Sequence, residues 1–284
     1  MRDFLAEMAA KSLERCEAAR VAVPYADLLA AARDSQPALP LKLSGFDVIA
    51  EVKRASPSEG AFRSRSGDGD DARGHLSQLI EQTEAYQAGG ACAISVLTEP
   101  SAFHGCLHDL AVVASDSQVP VMRKDFLVDV YQVAEARSRL ASGVLLITRI
   151  LEDAKVVEMV TVARDLGMFV IVEGFDEVDI DRAERLLGAD HPGVLMGLNC
   201  RNLTDLSIDL MRFGRLRHHF RGTSPAVAES GMQNVADVHG VAALGYDLAL
   251  VGSSLMKSPA PAALLGEMIA AGRAARAASG RGGA

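Results

Sequence analysis

Eight short apolar runs, each about the length of a buried β-strand, recur along this chain of 284 residues. They are rich in Val, Ile and Leu, and several are continuously apolar, as strands buried on both faces of a parallel sheet are. The starts of the last six lie 23 to 32 residues apart, which is room for one strand, one helix and two short loops. The predicted strands are Val48–Val52, Ala91–Leu97, Pro120–Arg123, Gly143–Thr148, Met168–Val172, Gly193–Leu198, Pro225–Ala228 and Leu248–Val251.

Segments with helical periodicity separate the strands, for example LSQLIEQTEAYQAGG, DVYQVAEARSRLASG and LEDAKVVEMVTVARDLG. Each ends near a Gly, as helix C-termini often do. Eight such units predict an α/β fold of the (β/α)8 TIM barrel type. A doubly wound open sheet is the main alternative, but it normally carries a Gly-rich turn after its first strand. This chain has KRASPSEG there.

The chain length permits about two domains, but the strands occupy only one stretch of it. Residues 1–47 precede the first strand and look helical, so we expect an N-terminal helical extension packed on the barrel. The barrel itself is predicted over 48–270. The small, basic segment 271–284 predicts a flexible tail, and the polar, Gly-rich segment 62–75 predicts a poorly ordered loop.

The charge balance and the cysteines exclude several function classes. The formal net charge is −8, from 29 Lys and Arg against 37 Asp and Glu, which argues against binding nucleic acid through a basic face. No apolar run reaches the roughly 18 residues of a membrane span, and the charged N-terminus does not resemble a secretory signal. The four cysteines form no CxxC or zinc pattern. We therefore expect reduced thiols, a cytoplasmic location and no bound metal.

Polar residues gather where the predicted strands end. In a barrel of this kind, catalytic groups lie at the carboxyl ends of the strands. The residues at those ends are Glu51, Lys53, Ser56 and Pro57; Ser95 to Glu99; Arg123, Lys124, Asp125 and Phe126; Glu173; Asn199 and Arg201; Glu229, Ser230 and Gly231; and Gly252, Ser253 and Ser254. This concentration of cations, carboxylates and small polar residues predicts a binding or catalytic site.

Small residues follow the last two strands, as Ser230-Gly231 and Gly252-Ser253. Such residues allow backbone N–H groups to approach an anion, with help from a helix N-terminus. They predict a phosphate site. The alternative is that these are tight strand-to-helix turns that need only the conformational freedom of Gly.

The lysines and carboxylates indicate acid–base chemistry. Glu51 and Lys53 are two residues apart on a strand, so both side chains can point into the barrel mouth, and Lys124 and Glu173 would reach the same cavity. We expect a lysine held among other cations to have a lowered pKa and to donate a proton near neutrality. A glutamate beside a lysine would stay ionised and accept one. The alternative is a set of structural ion pairs that closes the barrel top.

Six segments in chain order resemble the indole-3-glycerol-phosphate synthase family, barrel enzymes of tryptophan biosynthesis. The resemblance covers about residues 46–260. The combination of the K-x-x-SPS block with RKDF and N-x-RNL is the most specific part of it. The segments are IAEVKRASPSEG (49–60), AISVLTEPSAFHG (93–105), PVMRKDFLVDVYQVAEAR (120–137), GLNCRNL (197–203), VAESGM (227–232) and LVGSSLMKSP (250–259).

The resemblance implies a carboxy-lyase that closes 1-(2-carboxyphenylamino)-1-deoxyribulose 5-phosphate into indole-3-glycerol phosphate, with release of CO₂ and water. It implies an anionic sugar-phosphate substrate and neither a metal nor another cofactor. We expect neither nucleic acid nor a membrane as a partner. We expect a monomer or a weak homo-oligomer.

The resemblance also implies a role for each candidate residue. Lys124 would be the general acid and Glu173 the general base, with Lys53 assisting dehydration near the phosphate and Glu51 supporting proton transfer. Asn199 would bind polar groups of the substrate during catalysis. The expected substrate-binding residues are Ser56 and Arg201 for the carboxylate, Phe126 and Leu250 for the aromatic ring, and Glu229; the expected phosphate-binding residues are Ser230, Gly231, Gly252 and Ser253.

Four features depart from the family pattern, and they keep two alternatives open. They are Gly174-Phe175-Asp176 after the fifth strand, Arg149 after the fourth, Cys200 after the sixth, and the long loop of 62–75. The chain could act on a related sugar phosphate, as a paralogous lyase or isomerase or a specialised-pathway copy, or be a catalytically silent barrel. The loop could be a passive insertion or a lid that brings Arg63 or Arg65 to an anion.

Overall fold

A closed barrel of eight parallel strands forms the centre of the computed structural model, which describes residues 3–56, 60–61, 72–187, 192–202 and 207–280. Each strand pairs with its neighbours in chain order, and the first pairs with the last through Ile49 and Leu250. The TIM barrel prediction is therefore confirmed. The strands are β1 (Asp47–Val52), β2 (Ala93–Leu97), β3 (Val121–Lys124), β4 (Gly143–Ile147), β5 (Phe169–Gly174), β6 (Val194–Asn199), β7 (Ala226–Glu229) and β8 (Leu248–Val251).

Helices alternate with the strands and surround the barrel. None of the helices in the described ranges is long and apolar enough to cross a membrane. A short antiparallel ribbon, Ala55–Ser56 with Gly60–Ala61, follows β1. The helices are α1 (Phe4–Ala22), α2 (Tyr25–Asp34), α3 (Ala72–Ala88), α4 (Leu107–Asp116), α5 (Val130–Ser138), α6 (Asp153–Asp165), α7 (Glu177–Leu187), α8 (Met211–Leu216), α9 (Val235–Ala243), α10 (Ser253–Lys257) and α11 (Pro261–Ala278).

The strands bury side chains on both faces, which explains why their sequences are continuously apolar. Ile49, for example, belongs to the apolar cluster inside the barrel, whereas its neighbours Val48 and Ala50 pack in the layer between strands and helices. Alternate residues of a strand point to opposite faces. The same alternation aims the polar side chains at the strand ends either into the barrel mouth or towards the helices.

The first two helices pack against the barrel through α5. The Tyr131 hydroxyl on α5 donates hydrogen bonds to the carbonyls of Ala19 and Val23, at 2.9 and 3.1 Å. The Gln132 amide donates to the Ser12 hydroxyl at 2.8 Å, in a fully buried contact. Buried polar groups paired in this way fix one orientation of α1 on the barrel. The division into extension, barrel and tail stays a prediction.

The last helix continues through the segment that we expected to be a flexible tail from residue 271. It runs as far as Ala278. Gly272 lies against the ring of Phe46, and Arg273 forms an ion pair with Asp47 at 2.8 Å. The small and basic residues that suggested fraying instead allow close packing and supply a partner for the Asp47 carboxylate at the start of β1. The other predicted loop, 62–75, lies outside the described residues over 62–71, and so do Arg63 and Arg65.

Two glycines of α11 provide a test of this packing. A Cβ at position 272 would lie 2.1 Å from Cδ1 of the fully buried Phe46, whereas a Cβ at position 266 would meet its nearest atom at 3.9 Å. Gly272→Ala should therefore destabilise the protein by about 1–3 kcal/mol through overpacking. The matched Gly266→Ala should be neutral or stabilise by up to about 1 kcal/mol, because Ala favours helix. Urea unfolding of both variants measures this, and equal effects would contradict the packing.

Candidate active site

One cavity at the carboxyl ends of the strands collects the predicted site residues. Among the residues to which the resemblance gives a role, Glu229 is the exception, because it lies fully buried at the end of β7 and does not line the cavity. Pro57 lies outside the described residues. The predicted residues that line the cavity are Glu51, Lys53, Ser56, Lys124, Phe126, Glu173, Asn199, Arg201, Ser230, Gly231, Leu250, Gly252 and Ser253.

Glu51 holds the two lysines of the cavity. Its carboxylate oxygens lie 2.8 Å from Nζ of Lys53 and 3.6 Å from Nζ of Lys124. Burial alone would raise the pKa of Glu51, but the two ammonium groups outweigh it and hold the pKa below its ordinary value. Glu51 is therefore an ionised carboxylate that fixes both cations.

Lys124 has a raised pKa, and our expectation of a lowered one is wrong. Burial alone would lower the pKa of Lys124, but the carboxylates of Glu51, Glu173 and Glu229 raise it well above its ordinary value. From the sequence we expected Lys124 to lie among other cations, whereas in the folded protein it lies among carboxylates. The three carboxylates thus favour the ammonium form of Lys124, which can stabilise negative charge and donate a proton when a substrate oxygen becomes basic.

Glu173 lies at the end of β5, within electrostatic reach of Lys124. Burial raises the pKa of this carboxyl, against the opposing effects of Lys124 and of a 3.0 Å hydrogen bond from the Asn199 amide. The Asn199 carbonyl oxygen in turn accepts from the backbone N–H of Arg201 at 2.9 Å. This chain of bonds fixes the orientation of Glu173. A carboxyl with a raised pKa can exchange protons nearer neutrality than an ordinary glutamate.

Glu229 is a buried carboxyl whose oxygens have no hydrogen-bond partner among the described residues. Burial raises its pKa well above the ordinary value, and the nearby Glu173 adds to this, against the effect of Lys124. A Cβ at Gly197 would lie 2.1 Å from Oε1 of Glu229. The glycine therefore makes room for a second carboxyl beside Glu173, and the two share an environment in which full ionisation of both is costly.

The turns after β7 and β8 form the part of the cavity expected to take phosphate. Ser230 and Gly231 both have positive φ, at 70° and 82°, a strained conformation for Ser. The Cys200 thiol, whose pKa burial raises to about 12, donates to the Ser230 carbonyl at 3.4 Å. After β8, a Cβ at Gly252 would lie 2.5 Å from Oε1 of Glu51. The backbone at both turns therefore adopts positions that favour small residues.

Apolar residues line the other half of the cavity. Phe126 and Leu250 were predicted, and Phe126 contacts two further rings, Phe4 at 5.9 Å and Phe103 at 6.2 Å between centroids. These two were not predicted, because Phe4 lies on a helix that precedes the barrel and Phe103 lies in a loop beyond the end of β2. Leu97 and Asp125, which belong to the predicted strand-end residues, also line the cavity. The further lining residues that were not predicted are Leu145, Ile147, Phe175, Met232, Gln233 and Val251.

Two of the departures from the family pattern contact one another. The Arg149 guanidinium lies 5.2 Å from the centre of the Phe175 ring and pairs with Asp176 and Asp179. Asp179 also accepts the backbone N–H of Phe175 at 2.9 Å. Arg149 therefore does not face the cavity as a free cation. It supports the wall residue Phe175 from outside.

The buried carboxyl of Glu229 predicts a pH-dependent stability. The pKa of Glu229 is raised in the folded protein, so burial of its charge lowers the free energy of unfolding. This loss of stability is absent at low pH and grows as the pH rises above 4.5, the ordinary pKa of a glutamate. Glu229→Gln should therefore raise Tm more at pH 8 than at pH 5, with a difference of about 3 °C or more. Calorimetry at the two pH values measures this. A Tm increment that is the same at both would contradict the raised pKa.

A family model described as indole-3-glycerol phosphate synthase matches residues 5–268. The chain is 38% identical over 271 residues to the indole-3-glycerol phosphate synthase of Mycobacterium avium (strain 104), which covers 95% of this chain and 90% of the relative. It is 37% identical to the indole-3-glycerol phosphate synthase of Mycobacterium tuberculosis (strain CDC 1551 / Oshkosh), again over 95% of this chain and 90% of the relative. These matches extend through the N-terminal helices.

Two solved structures share the fold at low identity. One is a 3-hexulose-6-phosphate synthase, with a TM-score of 0.58, 17% identity and coverage of 80% of this chain and 99% of that one. The other is thiamine phosphate pyrophosphorylase from Pyrococcus furiosus, with a TM-score of 0.57, 15% identity and coverage of 82% and 98%. They support the barrel alone, whereas the family match covers the chain and its site, and this chain belongs to the indole-3-glycerol phosphate synthase family.

Proposed function

We propose that the barrel mouth closes 1-(2-carboxyphenylamino)-1-deoxyribulose 5-phosphate into indole-3-glycerol phosphate, with release of CO₂ and water. The observation that carries this proposal is one cavity with two different halves. Lys53, Lys124, Glu51 and Glu173 meet on one side, and aromatic and aliphatic residues line the other. Such a cavity suits a substrate that joins an aryl ring to a sugar phosphate. The apolar half favours this substrate over a sugar phosphate that lacks a ring.

In the proposed reaction, Lys124 is the general acid. Its ammonium group protonates the substrate carbonyl oxygen as the ring carbon that bears the carboxylate attacks the carbonyl carbon. Loss of CO₂ from that carbon then restores the aromatic ring. The surrounding carboxylates favour the charged form of Lys124, so its ammonium group carries the proton that this step needs. General acids of this kind raise a rate by about 10²–10⁴-fold.

Dehydration completes the indole and needs one proton donor and one acceptor. In our proposal Lys53 protonates the departing hydroxyl, which leaves as water, and Glu173 removes a proton from the methylene carbon beside the ring nitrogen, so that the carbon–carbon double bond of the indole forms. Glu51 lies within 2.8 Å of Lys53 and 3.6 Å of Lys124. It is therefore placed to orient both donors and to assist their reprotonation.

The remaining predicted residues bind the substrate in this proposal. Ser56 and Arg201 hold the carboxylate before it leaves, Asn199 holds polar groups, and Phe126 and Leu250 pack on the ring. The hydroxyl oxygen of Ser56 is buried without a hydrogen-bond partner among the described residues, which leaves it available to a ligand. The phosphate would lie at Ser230, Gly231, Gly252 and Ser253, and Glu229 would face the reacting centre from behind Glu173.

We also propose that the enzyme works in the cytoplasm as a monomer or a weak homo-oligomer. Its four cysteines are all free thiols, as is usual in reducing compartments. Sedimentation at several protein concentrations measures the oligomeric state. A concentration-independent oligomer would contradict this part of the proposal.

The direct test of the function is turnover. Purified protein is mixed with the carboxyphenylamino-deoxyribulose phosphate, and indole fluorescence is followed with release of CO₂ as a second signal. The proposal expects both signals at equal stoichiometry. A folded protein that gives neither would refute it.

Replacement of Lys124 tests the general acid. Lys124→Ala should lower kcat by at least about 10²-fold, because it removes the proton donor, and should change KM much less. Lys155→Ala is the control, because Lys155 lies on α6 and pairs with Glu158 away from the cavity. A fall in kcat of less than about tenfold would show that Lys124 is not the acid.

Replacement of Ser230 tests the phosphate site. Ser230→Ala removes one hydroxyl and keeps the backbone turn, so KM should rise several-fold while kcat stays nearly constant. Competition by inorganic phosphate should weaken in parallel. An isolated fall in kcat would place Ser230 elsewhere in the mechanism.

A further inference from the structure

We infer that Arg15 of α1 is a positioning residue of the active site: it bridges two buried carboxylates, Glu99 and Asp125, that shape the loops after β2 and β3. Its Nη1 lies 3.6 Å from Glu99 and its Nη2 lies 2.9 Å from Asp125. The Arg15 side chain is 30% exposed, whereas the carboxylates are 0% and 1% exposed. The kinetic part of this inference rests on the proposed function.

Asp125 organises the segment that carries Lys124. One of its oxygens accepts both Arg15 and the backbone N–H of Phe126, at 2.9 and 2.8 Å. The other accepts the Thr98 hydroxyl at 2.8 Å and Arg123 at 3.1 Å. Asp125 therefore ties the chain immediately after Lys124 to α1 on one side and to β2 and β3 on the other.

Glu99 organises the loop that carries Phe103. One carboxylate oxygen accepts the N–H and the hydroxyl of Ser101, at 2.9 and 2.6 Å. The other accepts the N–H groups of Ala102 and Phe103, at 2.6 and 3.2 Å. Groups of its own loop thus donate to both oxygens of the Glu99 carboxylate, and Arg15 connects that carboxylate to α1.

The two loops meet in the cavity. Phe103 and Phe126 are tilted against one another in its apolar half, and Phe4 of α1 packs edge-on against Phe126. Arg15 fixes the spacing of these loops from outside, because a guanidinium can bind two carboxylates at once, which the single ammonium of a lysine does less well. The position of the aromatic walls and of Lys124 therefore depends on a residue that lines no part of the cavity.

A second ion pair between the same two segments provides a matched control. Arg20, five residues further along α1, pairs with Asp129 at 2.5 Å, four residues beyond Asp125. Arg20 and Asp129 are more exposed, and neither lines the cavity. Loss of Arg20 therefore weakens the docking of α1 in the same way but leaves the two loop carboxylates untouched.

Steady-state kinetics and thermal unfolding compare Arg15→Ala, Arg15→Lys and Arg20→Ala with the unchanged protein. We expect Arg15→Ala to lower kcat by about tenfold to a hundredfold, because a displacement of catalytic groups by about 1 Å can lower a rate by about a hundredfold. Arg15→Lys should recover part of the lost kcat. Arg20→Ala should lower Tm by a similar amount and keep kcat within about twofold. Equal kcat in the Arg15→Ala and Arg20→Ala variants would overturn the inference, and Arg15→Lys gives the same comparison if Arg15→Ala does not fold.

Hydrogen exchange separates this inference from the proposed function. In Arg15→Ala, amides of residues 101–103 and of Phe126 should exchange at least about tenfold faster, because their carboxylate acceptors lose an anchor. In Arg20→Ala they should not. Unchanged exchange at these amides in Arg15→Ala and Arg15→Lys would overturn the positioning role even if the protein is inactive. Absence of turnover in the unchanged protein would instead refute the proposed function.

Discussion

The chemistry of this barrel depends on Glu51, a buried carboxylate that holds two lysines at the strand ends. Its contacts with Lys53 and Lys124 keep both side chains in place, and its charge helps to raise the pKa of Lys124, which burial alone would lower. Two further carboxyls, Glu173 and Glu229, balance the charge at the cost of raised pKa values of their own. The site thus combines one lysine, Lys124, that is held in its charged form with two carboxyls, Glu173 and Glu229, that accept protons more readily than exposed ones.

Glycines in and beside the strands make this concentration of charge possible. Gly197 leaves the space that the Glu229 carboxylate occupies, and Gly252 leaves the space beside Glu51 and Lys53. A side chain at either position would displace a charged group from the mouth. The barrel geometry then brings together groups from β1, β3, β5 and β7 that are far apart in the chain.

The sequence predicted most of the fold and the cavity because both depend on local patterns. Continuous apolar runs identified the strands, and reading only their carboxyl ends selected the residues that line the mouth. The sequence did not predict that Arg15 would reach Asp125, since that contact joins the N-terminal helix to a loop 110 residues away. The shift in the pKa of Lys124 was predicted in the wrong direction, because that direction depends on three carboxylates contributed by other strands. The helical tail was missed for a similar reason, since Arg273 acquires its partner only when Asp47 is in place.

The central claim is that the carboxylates of the barrel mouth hold Lys124 in its charged form, and the most direct test measures that charge. In protein labelled with ¹⁵N-lysine, the Lys124 Nζ resonance is assigned by its loss in Lys124→Ala and followed from pH 6 to about pH 11. The account predicts that it keeps the ammonium chemical shift after the exposed lysines have titrated near their ordinary pKa of about 10.4. Deprotonation of Lys124 before the exposed lysines would contradict it.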